Sequence, residues 1–311
     1  MNMKPLQVAV GVVKDAAGRI LISLRDRSLH QGGLWEFPGG KIEPFETAGQ
    51  ALSRELKEEL DITVEVASPL ITIEHQYPDL AVQLHVFLVE QFSGHARGCE
   101  GQLFKWAAPD ELDHYEFPAA NRPIVTAAQL PPYYAILDDT DESQLLTNLQ
   151  KILDRGIRLI QARLKTLSRH AVERFAERAY PMCQQQGALL LMNSAVEAAY
   201  ELNVNGIHLT SRHLMALDKR PENIKWVAAS CHNLQELRHA QAIGADFAVL
   251  APVLPTKTHP GAQTLGWQQF AELVSKANLP VYALGGMSLS CLSTARQAGG
   301  QGIAAIRAFL D

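Results

Sequence analysis

The chain has 311 residues, too many for one ordinary domain and enough for two of roughly 130 and 180 residues with separate cores. Lys plus Arg total 28 against 33 Asp plus Glu, so a formal charge of −5 leaves no basic excess for nucleic-acid polymers or an anionic membrane, and a small, locally bound substrate fits better. The four cysteines (Cys99, Cys183, Cys231, Cys291) lie too far apart for a short metal-ligand pair or a dense disulfide framework. With no signal-peptide layout and no apolar stretch long enough to cross a bilayer, the cytoplasm is the expected compartment.

Two β-branched, apolar runs, Leu6 to Val13 and Ile20 to Leu24, flank the turn-forming residues Asp15 to Gly18 and predict a hairpin. Thr47 to Leu60 reads as a helix, with Thr47 and Gln50 spaced as a capping box and Ala51, Leu52, Leu56 and Leu60 as its apolar stripe. Strand-like runs follow at Leu70 to His75 and Val82 to Glu90. Phe117 to Pro123 starts a helix that fades at Gln129 and Leu130, and the pair Pro131-Pro132 marks a boundary between domains 1–131 and 132–311.

Beyond that boundary, short apolar runs alternate with helical segments: Tyr133 to Leu137, Arg158 to Ala162, Ala188 to Met192, Gly206 to Leu209, Trp226 to Ala229, Phe247 to Ala251, Val281 to Leu284 and Ile303 to Ile306. Eight such runs predict a small (β/α)8 barrel, in which chemistry belongs at the C-terminal ends of the strands.

The first domain carries a spaced set of acidic residues. After Gly40, Glu46 follows past five residues and Arg54-Glu55 past seven more, then Glu58, Glu59 and Ile62. Glu55, Glu58 and Glu59 stand at i, i+3 and i+4, which places all three on one helix face. Their mutual repulsion is tolerable when a hard divalent cation neutralises it, and magnesium also suits a polyphosphate substrate. A solvated acidic face is the usual account of a pair such as Glu58-Glu59. With Gly40, Glu46, Arg54, Glu55, Glu58 and Glu59 as six fixed positions, however, a chance match is below about one in a million per start position.

Gly40 to Ile62 resembles the Nudix box, and residues 4–129 look like the MutT-type 8-oxo-dGTP diphosphatases. That resemblance implies an α/β/α sandwich with a mixed sheet. It implies a metal site of the Gly39 carbonyl, Glu55, Glu58, Glu59 and Glu100, holding magnesium or, as a substitute, manganese. Arg54 would brace the glutamates. Hydrolysis of 8-oxo-dGTP to the monophosphate and pyrophosphate, a nucleotide-sanitising step serving DNA repair and replication, is the implied reaction. Nucleotide contacts would fall on Arg25, His30, Glu36, Phe37, Pro38, Gly39 and Asn121. The Asn121 amide offers a donor and an acceptor to a base edge, although its position before Arg122-Pro123 also suits a plain helix cap. Asp61 stands where the family usually has glycine, so a local stability cost is expected there.

In the second domain Gln161, Arg163 and Lys165 are expected at the rim after the second barrel strand. Gly285-Gly286 and Ala305 to Arg307 fall where such barrels hold phosphate through backbone amides. With Asn193, Gly206 to Leu209, Ser230 to His232, Ala245 to Phe247, Pro255 to Thr258 and Pro280 to Gly286, these look like thiamine-phosphate synthase and the related thiazole tautomerases over residues 133–310. The implied ligand site comprises Gln161, Arg163, Lys165, Asn193, His232, Thr256, Gly285 and Gly286. The family's magnesium carboxylates are replaced by Ser194 and, among Thr210 to His213, by His213, and its lysine after the Thr-x-Thr segment by His259. Synthase chemistry, which needs a metal at the departing pyrophosphate, is therefore in question. The tautomerase branch needs an acid-base histidine, with His232 as the nearest candidate.

The expectation is an α/β and α+β chain of two domains: a Nudix pyrophosphohydrolase joined to a barrel that binds a phosphorylated thiamine-pathway ligand. A bifunctional thiamine-pathway enzyme and a non-catalytic, ligand-sensing barrel are the alternatives.

Overall fold

Along β1 (Leu6–Val13), side chains alternate, so that Ala9 and Val13 face one side of a sheet and Val10 and Val12 the other. Residues 5–28, 30–256 and 261–310 are described by this computed structural model. After β1 the first unit continues through β2 (Ile20–Leu24), β3 (Trp35–Glu36), β4 (Gly39–Lys41), α1 (Ala48–Leu60), β5 (Thr63–Gln76), β6 (Ala81–Ser93), β7 (Phe104–Ala107) and α2 (Arg122–Gln129).

One sheet has the order β4-β1-β6-β5. It is mixed: β1 runs parallel to β6 and antiparallel to β4, while β5 and β6 are antiparallel. Ala51, Leu52, Leu56 and Leu60 of α1 pack with Ala9 and Val13 on one face. Ile124, Val125, Ala127 and Ala128 of α2 pack with Val10 and Val12 on the other. The result is the expected α/β/α sandwich.

The predicted β1–β2 hairpin does not form as a ladder. The turn exists, with the Asp15 N–H donating to Arg19 O at 3.0 Å, but only the bridge Lys14↔Ile20 joins the two runs. β2 instead pairs with β3 and β7 in a separate three-stranded sheet, because both long edges of β1 are taken by β4 and β6.

Helix α1 begins at Thr47, whose side chain accepts from Gln50 N while the Gln50 side chain accepts from Thr47 N, the reciprocal cap expected. It ends at Asp61 in the left-handed conformation (φ 55°). That geometry costs a non-glycine residue on the order of 1 kcal/mol. The Asp61 carboxylate forms ion pairs with Lys57 and, at 3.0 Å, Arg97. Just before α1, Phe45 also has positive φ (72°) and is fully exposed. Nothing in the unit packs on its ring.

The second unit spans Leu130–Asp311, against a first unit of Met1–Gln129. The second unit thus begins two residues before the expected start at 132, because the Leu130 side chain is buried among interior residues of the barrel. The strands are β8 (Tyr133–Asp138), β9 (Leu159–Arg163), β10 (Leu189–Asn193), β11 (Gly206–Leu209), β12 (Trp226–Cys231), β13 (Phe247–Leu250), β14 (Val281–Leu284) and β15 (Gly302–Ala305). Each pairs in parallel with the next, and β15 closes on β8.

Its helices are α3 (Glu142–Asp154), α4 (Arg169–Gln185), α5 (Ser211–Met215), α6 (Leu234–Ala242), α7 (Gly266–Val274) and α8 (Leu292–Gln297). The β10–β11 connection is made of turns. Tyr134, Phe247 and Tyr282 fill the lower interior, with ring centroids 5.4–5.7 Å apart. No helix among the described residues is long and apolar enough to cross a membrane.

Candidate active sites

The tight Gly39-Gly40 strand brings backbone against α1. A Cβ on Gly39 (φ 145°) would lie 2.1 Å from Ala9 O, so that position demands glycine, and a Cβ on Gly40 would lie 2.3 Å from the Glu55 carboxylate and push it aside. Glu59 Oε2 accepts from the Gly39 N–H at 3.3 Å. Burial, together with the carboxylates of Glu55, Glu36 and Glu100, pushes the Glu59 carboxyl up to about 8, against the pull of that amide. Glu36 is also raised by burial, with Arg25 opposing. Four carboxylates therefore share one field around Glu59.

Arg54 braces the outer side. Its guanidinium donates to Glu46 at 2.7 Å, Glu55 at 2.8 Å and Glu58 at 3.2 Å. Glu58 is more than half exposed and bonds this arginine. Accordingly, no three carboxylate, imidazole or thiol groups among the described residues converge as a ready-made metal site. Of the expected set, Glu55 and Glu100 lie near enough to Glu59 to act on its charge, while Glu55 and Glu58 are both bonded to Arg54, so the four do not converge on one point. The donor chemistry nonetheless fits a hard divalent cation, since carboxylates gather around the largely buried Glu59, and the arginines pair with Glu55 and Glu36 but not with Glu59 itself.

Among the residues expected to contact nucleotide, Arg25 donates to His30 O at 2.7 Å and to Glu36 at 2.6 Å. His30 lies 3.3 Å from Asp79 and edge-on to Tyr77. Phe37 is buried and stacks on Phe117 at 5.4 Å, while Pro38 O accepts from Gly11 N. Asn121 ends a short 3-10 turn (Ala119–Asn121) before α2, half-buried, and its side chain makes no cap bond among the described residues. Sequence reading passed over Tyr77, whose hydroxyl accepts from Ala120 N at 3.4 Å beside that asparagine. Its only signal was an aromatic in a turn, Tyr77-Pro78-Asp79.

In the barrel, a cavity of about 780 Å³ opens at the C-terminal ends of the strands. Its lining includes Gln161, Arg163, Lys165, Asn193, His232 and Thr256, with Gly285 and Gly286. A Cβ on Gly286 would lie 2.6 Å from Pro255 O, so the two strands' loops meet through bare backbone. Lys257, Thr258 and His259 lie outside the described residues.

Two expectations change here. Gln161 is not a free rim donor: it is buried, donating to Tyr134 Oη at 3.2 Å and accepting from Asn193 at 3.0 Å. Arg163 Nη1 donates to both carboxylate oxygens of Asp138, at 2.8 and 2.9 Å, leaving Lys165 as the less committed cation. The chain of bonds continues from Tyr134 to His208 Nδ1 (3.0 Å) and from His208 Nε2 to Ser230 Oγ (2.7 Å). Because the Tyr134 oxygen accepts from Gln161, its proton points to His208, whose Nε2–H then donates to Ser230. Burial, with Arg163 and Lys165 nearby, holds His208 down at about 3. Tyr134 and its links were not legible in a run read as apolar.

At the expected metal position, Ser194 Oγ accepts from Thr210 N at 3.0 Å and bonds His213 Nδ1 at 2.8 Å. Asp139 is occupied by the N–H groups of Lys165 and Thr166. A hydroxyl paired with an imidazole does not fit magnesium, which requires anionic oxygens. His232, half-exposed at the rim, pairs with Glu236 at 2.9 Å.

A carboxylate-rich helix behind a glycine strand, and a barrel whose cavity lies at its strand ends, define a hydrolase domain joined to a (β/α)8 unit. A family model described as "NUDIX domain" matches residues 9–127, and one described as "Thiamine monophosphate synthase" matches residues 133–309. The "8-oxo-dGTP diphosphatase" of Escherichia coli is 41% identical over 123 residues, covering 40% of this chain and 95% of that protein. The "CTP pyrophosphohydrolase" of Escherichia coli is 35% identical over 125 residues, covering 40% of this chain and 92% of that protein. The "Putative thiamine-phosphate synthase 2" of Aquifex aeolicus is 34% identical over 185 residues, covering 59% of this chain and 100% of that protein. The chain belongs to the Nudix family through its first unit and to the thiamine-phosphate synthase family through its second.

Proposed function

We propose that the first unit is a magnesium-dependent pyrophosphohydrolase that converts 8-oxo-dGTP to 8-oxo-dGMP and pyrophosphate. The observation that carries this reading is the shared field of Glu55, Glu59, Glu36 and Glu100 behind the Gly39-Gly40 backbone. Glu55, Glu59 and Glu100, joined by Glu58 once it leaves Arg54, would hold the metal. When bound, magnesium neutralises polyphosphate charge and eases deprotonation of water. Arg54 fixes the outer carboxylates, and a glutamate of the set takes the proton from the attacking water. Attack at the β-phosphorus breaks its bond to the bridging oxygen of the α-phosphate. Arg25, His30 and Tyr77 border the base, and the uncapped Asn121 amide reads its edge.

The relatives named for 8-oxo-dGTP and for CTP make base choice the point to test. The measurement is kcat/KM for 8-oxo-dGTP, dGTP, 8-oxo-GTP, CTP and thiamine-type diphosphates under magnesium. 8-oxo-dGTP is expected to exceed dGTP by at least about tenfold, as hydrogen-bond readout allows. A preference for CTP would replace the assignment of Asn121 as an oxoguanine reader.

We infer that the barrel binds a phosphorylated, thiamine-related ligand without a metal. What supports this is the Ser194–His213 bond at the position where relatives need carboxylates. The His232–Glu236 pair at the rim favours proton transfer on that ligand as a second reading. Calorimetric titration of the full chain with a thiazole phosphate is expected to give the same affinity in magnesium and in EDTA. A requirement for magnesium would refute the metal-free site, and a moved proton in the recovered ligand, seen by NMR, would separate catalysis from binding alone.

A further inference from the structure

The loop between β6 and β7 is fastened to the last turn of α1 through its backbone. Carbonyls in a helix's last turn lack partners within the helix. Here Arg97 N–H donates to Leu60 O at 3.1 Å, and Cys99 N–H donates to Glu59 O at 2.9 Å. Gln102 adds a second bond to the same Glu59 carbonyl, Nε2 to O at 2.9 Å. Its other atom, Oε1, accepts from the Glu100 N–H at 3.0 Å. A single planar side-chain amide therefore spans the backbones of Glu59 and Glu100.

We infer that Gln102 is a positioning residue that sets the separation of the Glu59 and Glu100 carboxylates for a shared divalent cation. It touches neither substrate nor metal; it holds the two acidic residues by their main chains. Only an amide can do both jobs, since the bridge needs a donor at one end and an acceptor at the other. A glutamate there would face the Glu59 carbonyl with a second oxygen, and an asparagine would be one methylene short. The ion pair from Arg97 of this loop to Asp61 is largely exposed and contributes little.

This inference rests on reading the α1 carboxylates as a metal site. The test titrates the full chain with Mn²⁺ alone, following free Mn²⁺ by electron paramagnetic resonance. In Gln102→Ala the Kd for Mn²⁺ is expected to weaken about tenfold, the scale of losing one outer support. Gln102→Glu is expected to weaken it as much or more, and in both the KM for nucleotide at saturating magnesium stays close to wild type. Should the alanine variant fail to fold, Gln102→Asn carries the same expectation. Unchanged Mn²⁺ affinity in the folded variants overturns the positioning role. Glu59→Gln separates the two failures: if it too leaves Mn²⁺ affinity unchanged, the metal-site reading falls and the positioning role with it.

Discussion

Glu59→Gln is expected to lower kcat for magnesium-dependent pyrophosphate release by about 10³-fold, the rate equivalent of about 4 kcal/mol. The substitution keeps the size of the side chain and an oxygen for the Gly39 N–H, and it removes the charge. In the folded protein that charge is costly, because Glu59 is largely buried beside Glu55, Glu36 and Glu100. The same change should therefore leave thermal stability equal to the wild type or above it. Activity and stability moving in opposite directions would mark a carboxylate kept for chemistry. A loss of less than tenfold with the fold intact would remove Glu59 from the proposed site. Glu58→Gln is a useful comparison, since its carboxylate must first leave Arg54.

The second large effect is acid destabilisation of the barrel through His208. Its imidazole is fully buried between Tyr134 and Ser230, and burial holds it down at about 3, with the Arg163 and Lys165 charges adding to the effect. An unfolded histidine titrates near 6.5. Between these values the unfolded chain binds one more proton than the folded one, so stability rises with pH across that window and is lost as pH falls through it. At pH 5 the loss amounts to about 2 kcal/mol relative to pH 7. Urea unfolding at the two pH values should show it, and His208→Gln should remove most of that acid-side slope. Equal slopes in wild type and variant would mean that His208 is not the group that titrates.

The barrel strands were legible because strands buried on both faces read as unbroken apolar runs, and all eight lie within a residue or two of their expected limits. Helix α1 was legible for a different reason: its cap, stripe and acidic face are all local. What failed was non-local. The Asp15 turn has hairpin chemistry, but the partners of β1 come from Gly39–Lys41 and Ala81–Ser93, far along the chain. β5 starts at Thr63 instead of near Leu70; its first half is largely exposed and bulged, so no buried alternating face marks it. Gln161 was expected on the rim but lies two residues below the end of β9, where its neighbours are Tyr134 and Asn193 from adjacent strands.

The site shows the same division. Spacing alone pointed to Glu55, Glu58 and Glu59 as a group, and the helix does place them on one face. Spacing could not show that Arg54 would bond Glu58, or that Gln102 would reach back to Glu59. Both depend on side chains meeting across elements. In the barrel, the Ser194–His213 bond joins residues from successive strand ends, and only their identity, not their contact, could be read in advance.

The residues just before the first barrel strand bear on how this unit can be separated or transplanted. Leu130 is buried in the barrel interior, and its carbonyl accepts from Gln301 Nε2 at 3.0 Å. Pro131 O accepts from the Tyr282 hydroxyl, and Pro132 O from Ile303 N. Three consecutive main-chain oxygens thus plug the floor of the barrel, upstream of residue 133, where the family match begins. A gene fragment cut at the family limit would lose the buried Leu130 side chain and the carbonyls that accept from Gln301, Tyr282 and Ile303. The joint between the two coding halves is in this sense property of the barrel, and any recombination that moves the barrel to a new neighbour must carry Leu130 to Pro132 along with it.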